Sequence, residues 1–166
     1  SNVDPDDAVS ILESLDPETT LSVLVSKSGT TQETLTNEAF AIDWLTRNGI
    51  SSPRKHIICV TSETSPLARS SDYLDSFFID DFIGGRYSSS SAVGGTILSL
   101  AYGPELFEEL LAGAHAADRA ALNPNIRENP ALLDAVIGVY ERNVLGYPTT
   151  AVLPYSQALI RFPVHH

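Results

Sequence analysis

The side chains best suited to binding an anion lie in the segment SKSGTTQET, residues 26–34. A phosphate monoester needs several donors around one small tetrahedral anion, and hydroxyls, main-chain N–H groups and a nearby cation provide them. Four hydroxyls, one ammonium group and one glycine fall within six positions, which are Ser26, Lys27, Ser28, Gly29, Thr30 and Thr31. Gly29 would let the main chain approach a ligand closely.

The same segment has an ordinary structural interpretation. Thr30 and Glu33 have the spacing of a capping box at the start of a helix. The segment also lacks the second glycine and the Gly-Lys-Ser/Thr ending of a Walker loop. From residue types alone, phosphate binding and helix capping remain alternatives.

A second candidate segment is DDFIGGRYS, residues 80–88. Gly84 and Gly85 would leave space for a ligand beside the main chain, and Arg86 would direct a permanent positive charge into it. Such a guanidinium suits the stabilisation of a developing oxyanion. The alternative is a surface ion pair between Arg86 and Asp80 or Asp81.

Both segments follow predicted strands. Short apolar runs bounded by turn residues predict buried strands, and apolar residues at helical spacing predict helices between them. The predicted strands are 21–25, 56–61 and 76–79, and the predicted helices between them are 32–48 and 66–71. This alternation predicts a parallel sheet flanked by helices, and open α/β sheets bind ligands beyond the carboxyl ends of their strands.

The remaining patterns are helical. Asp4 would cap an opening helix over 2–15 with Pro5 in its first position, and Cys59 is expected to pack in the core. The second half predicts helices over 88–100, 104–122 and 130–145, a strand or extended connection over 150–153 and a helical turn over 155–161. The fold class is therefore α/β with a helical C-terminal half.

Composition excludes several function classes. The 166 residues carry a formal net charge of −11, which argues against nucleic acid as a partner. No apolar run reaches the length of a membrane span, no cluster has metal-ligand spacing, and one cysteine excludes a disulfide framework. The lack of methionine predicts a chain trimmed from a longer one. His165 and His166 are either native or the start of a tag.

Taken together, SKSGTTQET and DFIGGRYSSSSAVG resemble the phosphoglucose isomerase family. Further similarities occur at 1–4, in LLAGAHAAD at 110–118 and in LPYSQAL at 153–159. The resemblance implies that residues 1–166 are one sugar-isomerase (SIS) domain, a flavodoxin-like three-layer sandwich that binds phosphosugars, within a larger enzyme with two such domains. It also implies a cytoplasmic homodimer of glycolysis and gluconeogenesis that needs no cofactor or metal.

The resemblance also implies roles for individual residues. The hydroxyls of Ser26, Ser28 and Thr31, with main-chain N–H groups from Lys27 onward, would hold the sugar 6-phosphate. Supporting positions would be Glu33 at the helix start and Gly84 and Gly85 beside the ligand. The reaction interconverts glucose 6-phosphate and fructose 6-phosphate by moving a proton between C2 and C1. Arg86 would be the catalytic arginine that stabilises the cis-enediolate.

Two other functions stay open. The chain could be a stand-alone SIS module that binds or senses phosphosugars without turnover, or a structural α/β domain whose loops only cap helices. The family motifs that carry the base glutamate, the ring-opening histidine and a late lysine do not occur in the sequence.

We expect no useful isomerase turnover from this chain alone, because general base catalysis contributes about two to four powers of ten in rate. The measurement is a coupled assay of fructose 6-phosphate conversion by the purified chain. Turnover that Arg86→Ala abolishes would contradict this expectation.

Overall fold

The computed structural model describes residues 3–69 and 71–160. Asn2, Ser70 and Arg161, which fall in predicted helices, lie outside the described residues, as do His165 and His166. The chain divides into two compact units, the first running to Phe107 and the second beginning at Glu108.

The first unit is built on a three-stranded parallel sheet. Its strands are β1 (Ser22–Val25), β2 (Ile57–Thr61) and β3 (Asp75–Phe78), in the order β1-β2-β3. Cys59 lies opposite Leu24 on β1 and opposite Ser76 on β3. All five residues of β2 are buried, as expected of a central parallel strand. The predicted parallel α/β sheet is confirmed.

Helices cover both faces of this sheet. Side chains of successive strand residues point to opposite faces, so Ile57 and Cys59 share one face and Ile58 lies on the other. The first face packs against Leu35 and Ile42 of α2 (Gln32–Arg47). On the other face, Ile58 and Phe77 line a cavity with residues of α3 (Ala92–Tyr102). The first unit therefore has three layers.

The ends of the helices follow capping chemistry. The opening helix α1 is Pro5–Leu12, and the carboxylate of Asp4 accepts hydrogen bonds from the N–H groups of Asp6 and Asp7, as predicted. The helix predicted from residue 88 begins only at Ala92, because Ser91 caps it and Gly85–Ser90 forms a 3₁₀ helix instead. Residues 150–153 form no strand.

The second half is helical, as predicted. α4 is Pro104–Ala121 and α5 is Pro130–Asn143. The buried side chain of Asn129 joins the two, because its amide donates to the carbonyls of Ala121 at 2.9 Å and Asn123 at 2.8 Å. Its carbonyl oxygen accepts from the N–H of Leu132 at 2.9 Å and so caps α5.

A buried polar cluster fixes α2 against the sheet. The hydroxyl of Tyr73 donates to the buried carboxylate of Glu38 at 2.8 Å, and Arg54 Nε lies 3.4 Å from the same oxygen. The guanidinium of Arg54 also lies over the ring of Tyr73, 5.9 Å from its centre. Burial, and then the bond to Glu38 and its charge, raise the pKa of Tyr73 well above its ordinary value.

Cys59 lies close to this cluster, in the core as predicted. Burial and then the charge of Glu38 raise the pKa of its thiol from an ordinary value of 9.0 to about 11. The folded state therefore holds the thiol proton to a higher pH than the unfolded chain does. The resulting stabilisation is complete below pH 9.0 and is lost as the pH rises towards 11.

We expect Cys59→Ser to flatten the alkaline loss of stability, because a serine hydroxyl does not titrate in this range. One pKa unit corresponds to about 1.4 kcal/mol, so the native chain should lose on the order of 2 kcal/mol more than the variant between pH 8 and 11. Urea unfolding across this range measures both curves. Parallel curves would show that the thiol makes no such contribution, and the Tyr73 phenol would lower both curves alike above pH 10.

Candidate functional site

The first candidate segment begins where β1 ends. The N–H of Ser26 donates to the carbonyl of Val60 at 3.1 Å, which continues the β1–β2 ladder by one residue. The buried hydroxyl of Thr61 then donates to the carbonyl of Ser26 at 2.7 Å. The start of the loop is therefore held against the end of β2.

The hydroxyls of this loop converge as one cluster. Ser26 Oγ donates to Thr31 Oγ1 at 3.1 Å, and Thr30 Oγ1 donates to Ser28 Oγ at 3.0 Å. Ser28 Oγ lies 3.5 Å from Thr31 Oγ1, so the two pairs are in contact. The main-chain N–H of Gly29 donates to Ser26 Oγ at 3.1 Å. Ser28, Thr30 and Thr31 are exposed, so an incoming anion can reach the cluster.

The predicted capping box does not form. The N-cap of α2 is Thr31 and not Thr30, and within the described residues its side chain makes no capping hydrogen bond. The N–H groups of the first turn of α2 thus have no side-chain cap, and the positive end of the helix dipole lies at the hydroxyl cluster. Glu33 is the second residue of α2 and is exposed. Helix capping therefore does not account for the hydroxyls.

Gly29 is required by close packing. It has a φ of +68°, and an added Cβ would overlap the buried Ser65 Oγ and lie 3.1 Å from Leu67 Cγ. Ser65 Oγ accepts from the N–H of Leu67 at 3.1 Å, so it is not free to move away. The segment that follows β2, which contains Ser65 and Leu67, therefore packs closely against Gly29 of the first loop.

The second candidate segment begins where β3 ends. The N–H of Ile79 donates to the carbonyl of Thr61 at 2.9 Å, and a turn closes where the N–H of Ile83 donates to the carbonyl of Asp80 at 3.0 Å. Gly84 then caps the 3₁₀ helix Gly85–Ser90, in which Arg86 is the second residue. An added Cβ at Gly85 would meet no described atom within 4 Å, so the main chain there is open.

Arg86 is exposed, and it forms no ion pair with Asp80 or Asp81 within the described residues. The carboxylate of Asp81 instead accepts a hydrogen bond from Ser62 Oγ. The alternative interpretation of Arg86 as half of a surface ion pair with these aspartates is therefore not supported by the geometry.

Lys27 joins the two segments. Its ammonium group donates to the carbonyl of Asp81 at 3.0 Å and to the carbonyl of Ile83 at 2.9 Å. The N–H of Ser62, directly after β2, donates to the carbonyl of Lys27 at 3.1 Å. All three strand ends thus meet at one edge of the sheet. The sequence analysis missed Ser62, although its position directly after a predicted strand matches that of Ser26.

A groove runs from this edge along β1. It has a volume of about 520 Å³, and its lining includes Thr31, Glu33, Asn37 and the buried Glu38. No group of His, Cys, Asp and Glu in the described part of the chain has the arrangement of a metal site. Within the described residues, the strand ends therefore offer hydroxyls, N–H groups and the exposed guanidinium of Arg86, which is chemistry suited to a phosphorylated ligand.

Comparison with known proteins shows the family of this chain. A family model described as phosphoglucose isomerase matches residues 1–166, which include both segments. The chain belongs to the phosphoglucose isomerase family. The resemblance stated from the two motifs is confirmed.

Named relatives agree with this assignment. A glucose-6-phosphate isomerase of Treponema pallidum is 62% identical over 165 residues, which are 99% of this chain and 31% of the relative. The glucose-6-phosphate isomerase of Chlamydia pneumoniae is 50% identical over the same share of this chain. This chain thus spans about a third of the length of these relatives. No helix within its described residues is long and apolar enough to cross a membrane.

Solved structures agree in fold. The crystal structure of a glucose-6-phosphate isomerase from Chlamydia trachomatis superposes with a TM-score of 0.93 at 50% identity, covering 99% of this chain and 32% of that one. A hypothetical protein from Thermus thermophilus superposes with a TM-score of 0.72 at 34% identity, covering 86% of this chain. The α/β fold with a helical second half is therefore shared with a solved member of the phosphoglucose isomerase family.

We expect Gly29→Ala to destabilise the chain by about 2 kcal/mol, because the variant combines a left-handed backbone with an overlap at Ser65 Oγ. Gly49→Ala is the matched control, since Gly49 also has a positive φ (+89°) but no atom within 4 Å of an added Cβ. Urea unfolding of both variants measures the difference. Equal losses would mean that only the backbone conformation matters and that contact with Ser65 does not.

Proposed function

We propose that this chain supplies the phosphate-binding loop and the catalytic arginine of a phosphoglucose isomerase, which interconverts glucose 6-phosphate and fructose 6-phosphate. The observation that carries the proposal is the junction at the strand ends, where one lysine connects an uncapped, hydroxyl-rich helix start to the segment that bears Arg86. Family membership supports the same assignment.

The phosphate group is bound by neutral donors. The hydroxyls of Ser26, Ser28 and Thr31, with main-chain N–H groups from Lys27 onward, hold it at the start of α2. Without a ligand, the N–H groups of Gly29 and Thr30 donate to Ser26 Oγ and Ser28 Oγ. Because the helix dipole is positive there, a dianion is favoured without a dedicated cationic side chain. Glu33, in the first turn of α2, supports the loop from the helix side.

Arg86 acts on the reacting carbons. Moving a proton between C2 and C1 places negative charge on the oxygens of a cis-enediolate, and a preplaced guanidinium stabilises that charge. Gly84 and Gly85 leave the space that the sugar needs beside the main chain. We assign no residue of this chain to the proton transfer itself.

We expect inorganic phosphate and fructose 6-phosphate to shift the backbone amide NMR signals of residues 26–34. Thr31→Val should weaken the binding of both ligands about tenfold, because a hydrogen bond to a charged group contributes on the order of 1.5 kcal/mol. Thr46→Val is the matched control, since the Thr46 hydroxyl donates to a carbonyl on the same helix far from the loop.

The role of Arg86 needs a ligand that carries the charge of the intermediate. A five-carbon sugar-acid phosphate has a carboxylate where the enediolate forms, and intermediate analogues bind more tightly than substrates. Arg86→Met should weaken the binding of this ligand at least tenfold and the binding of inorganic phosphate much less. Arg47→Met removes a remote exposed charge and should change neither affinity. Signal shifts confined to residues outside 26–34 and 84–86, or no shifts at millimolar ligand, would contradict the proposed function of this chain.

A further inference from the structure

We propose that Lys27 is a positioning residue whose ammonium group holds the Asp81–Ile83 turn against the phosphate loop and thereby sets the position of Arg86. This inference rests on the proposed function for its catalytic consequence. In this proposal the side chain of Lys27 binds main-chain carbonyls of the protein and not the phosphate. Lys27 contributes only its main-chain N–H group to the phosphate.

The contacts of the ammonium group are the first argument. Two of its three donors are bonded to carbonyls, that of Asp81 at 3.0 Å and that of Ile83 at 2.9 Å. Both acceptors belong to the turn that is closed between Ile83 and Asp80. A lysine that served mainly as a phosphate ligand would leave its donors free for the anion.

The second argument is that few other side-chain contacts hold the turn in the described part of the chain. Two residues separate Ile83 from Arg86, and both are glycines, Gly84 and Gly85, which have no side chains to anchor the main chain. Phe82 is 87% exposed, so it provides no buried contact in this turn either. In the described residues the side-chain bonds that hold the turn come from Lys27 and from Ser62, which donates to the Asp81 carboxylate.

Ser62 completes a closed set of bonds. Its N–H donates to the carbonyl of Lys27, its hydroxyl donates to Asp81, and Lys27 donates to the carbonyl of Asp81. Lys27 follows β1, Ser62 follows β2 and Asp81 follows β3. A displacement of the Asp81 turn would therefore break bonds to the segments that follow β1 and β2, which makes the position of Arg86 depend on the sheet.

The chain offers a matched control for this lysine. Lys55 Nζ donates to the carbonyls of Ser71 at 3.0 Å and Tyr73 at 2.9 Å, near the amino ends of β2 and β3. Lys55→Met thus removes one positive charge and two hydrogen bonds to carbonyls, as Lys27→Met does, but away from the candidate site. Lys27→Arg is the conservative variant, because a guanidinium keeps the charge and two or more donors.

The first experiment uses the ligand-free chain. Backbone ¹⁵N relaxation measures the order of residues 80–87 in the native chain, Lys27→Met, Lys27→Arg and Lys55→Met. We expect Lys27→Met to lower the order parameters of this segment, Lys27→Arg to restore most of them and Lys55→Met to leave them unchanged. Unchanged order in Lys27→Met would overturn the proposal whether or not the chain binds a phosphosugar.

The second experiment separates positioning from direct phosphate binding. Lys27→Met should weaken the five-carbon sugar-acid phosphate at least tenfold and inorganic phosphate less than threefold, because only the first ligand depends on Arg86. An equal loss for both ligands would make Lys27 a direct phosphate ligand and overturn the proposal. Failure of the native chain to bind either ligand would count against the proposed function, while the relaxation measurement still decides the role of Lys27.

Discussion

The candidate site depends on the pairing of β2 with both of its neighbours. β2 is buried at every position and bonds to β1 on one side and β3 on the other. The pairing continues past the strands, because Ser26 bonds to Val60, Ser62 to Lys27 and Ile79 to Thr61. The first residues of all three loops are therefore fixed by main-chain bonds before any side chain contributes. A shift of register by one residue would separate these loops and turn the core side chains of β2 to the opposite face.

The two ends of the sheet use their polar groups differently. Near the amino ends of β2 and β3, Glu38 bonds to both Arg54 and Tyr73. Lys55 bonds to main-chain carbonyls there. The charged groups at this end therefore already have partners within the protein. Removing one member would leave a buried charge without its partners, which is costly. At the carboxyl ends, exposed hydroxyls and an uncapped helix start remain available to a ligand. One end of the sheet thus bonds its own polar groups to one another, and the other leaves polar groups exposed for the binding proposed above.

Much of this arrangement could be predicted from the sequence, for local reasons. The apolar run around Cys59 predicted a buried strand, and Asp4 followed by Pro5 predicted the start of α1, because both signals reside in adjacent residues. Contacts between distant residues gave no such signal. The bonds of Lys27 to the Asp81 turn span more than fifty positions, and the overlap that makes Gly29 necessary involves Ser65. The prediction of a capping box was wrong because the N-cap of α2 is Thr31 and not Thr30.

A chain with a net charge of −11 binds an anion most readily through local neutral donors. Exposed charges farther away than about 8 Å are largely screened at physiological salt, so the acidic surface matters little if the donors lie close together. Each hydroxyl of the first loop lies within 3.5 Å of at least one other, and the start of α2 follows directly after them. The single lysine of that loop bonds to the main chain, and under the proposed function Arg86 is the charged group available to the reacting end of the sugar. The proposed division of labour, with neutral donors for the phosphate and one guanidinium for the intermediate, is consistent with this arrangement, because a cation bound to the phosphate would stabilise substrate and intermediate equally and leave the barrier unchanged.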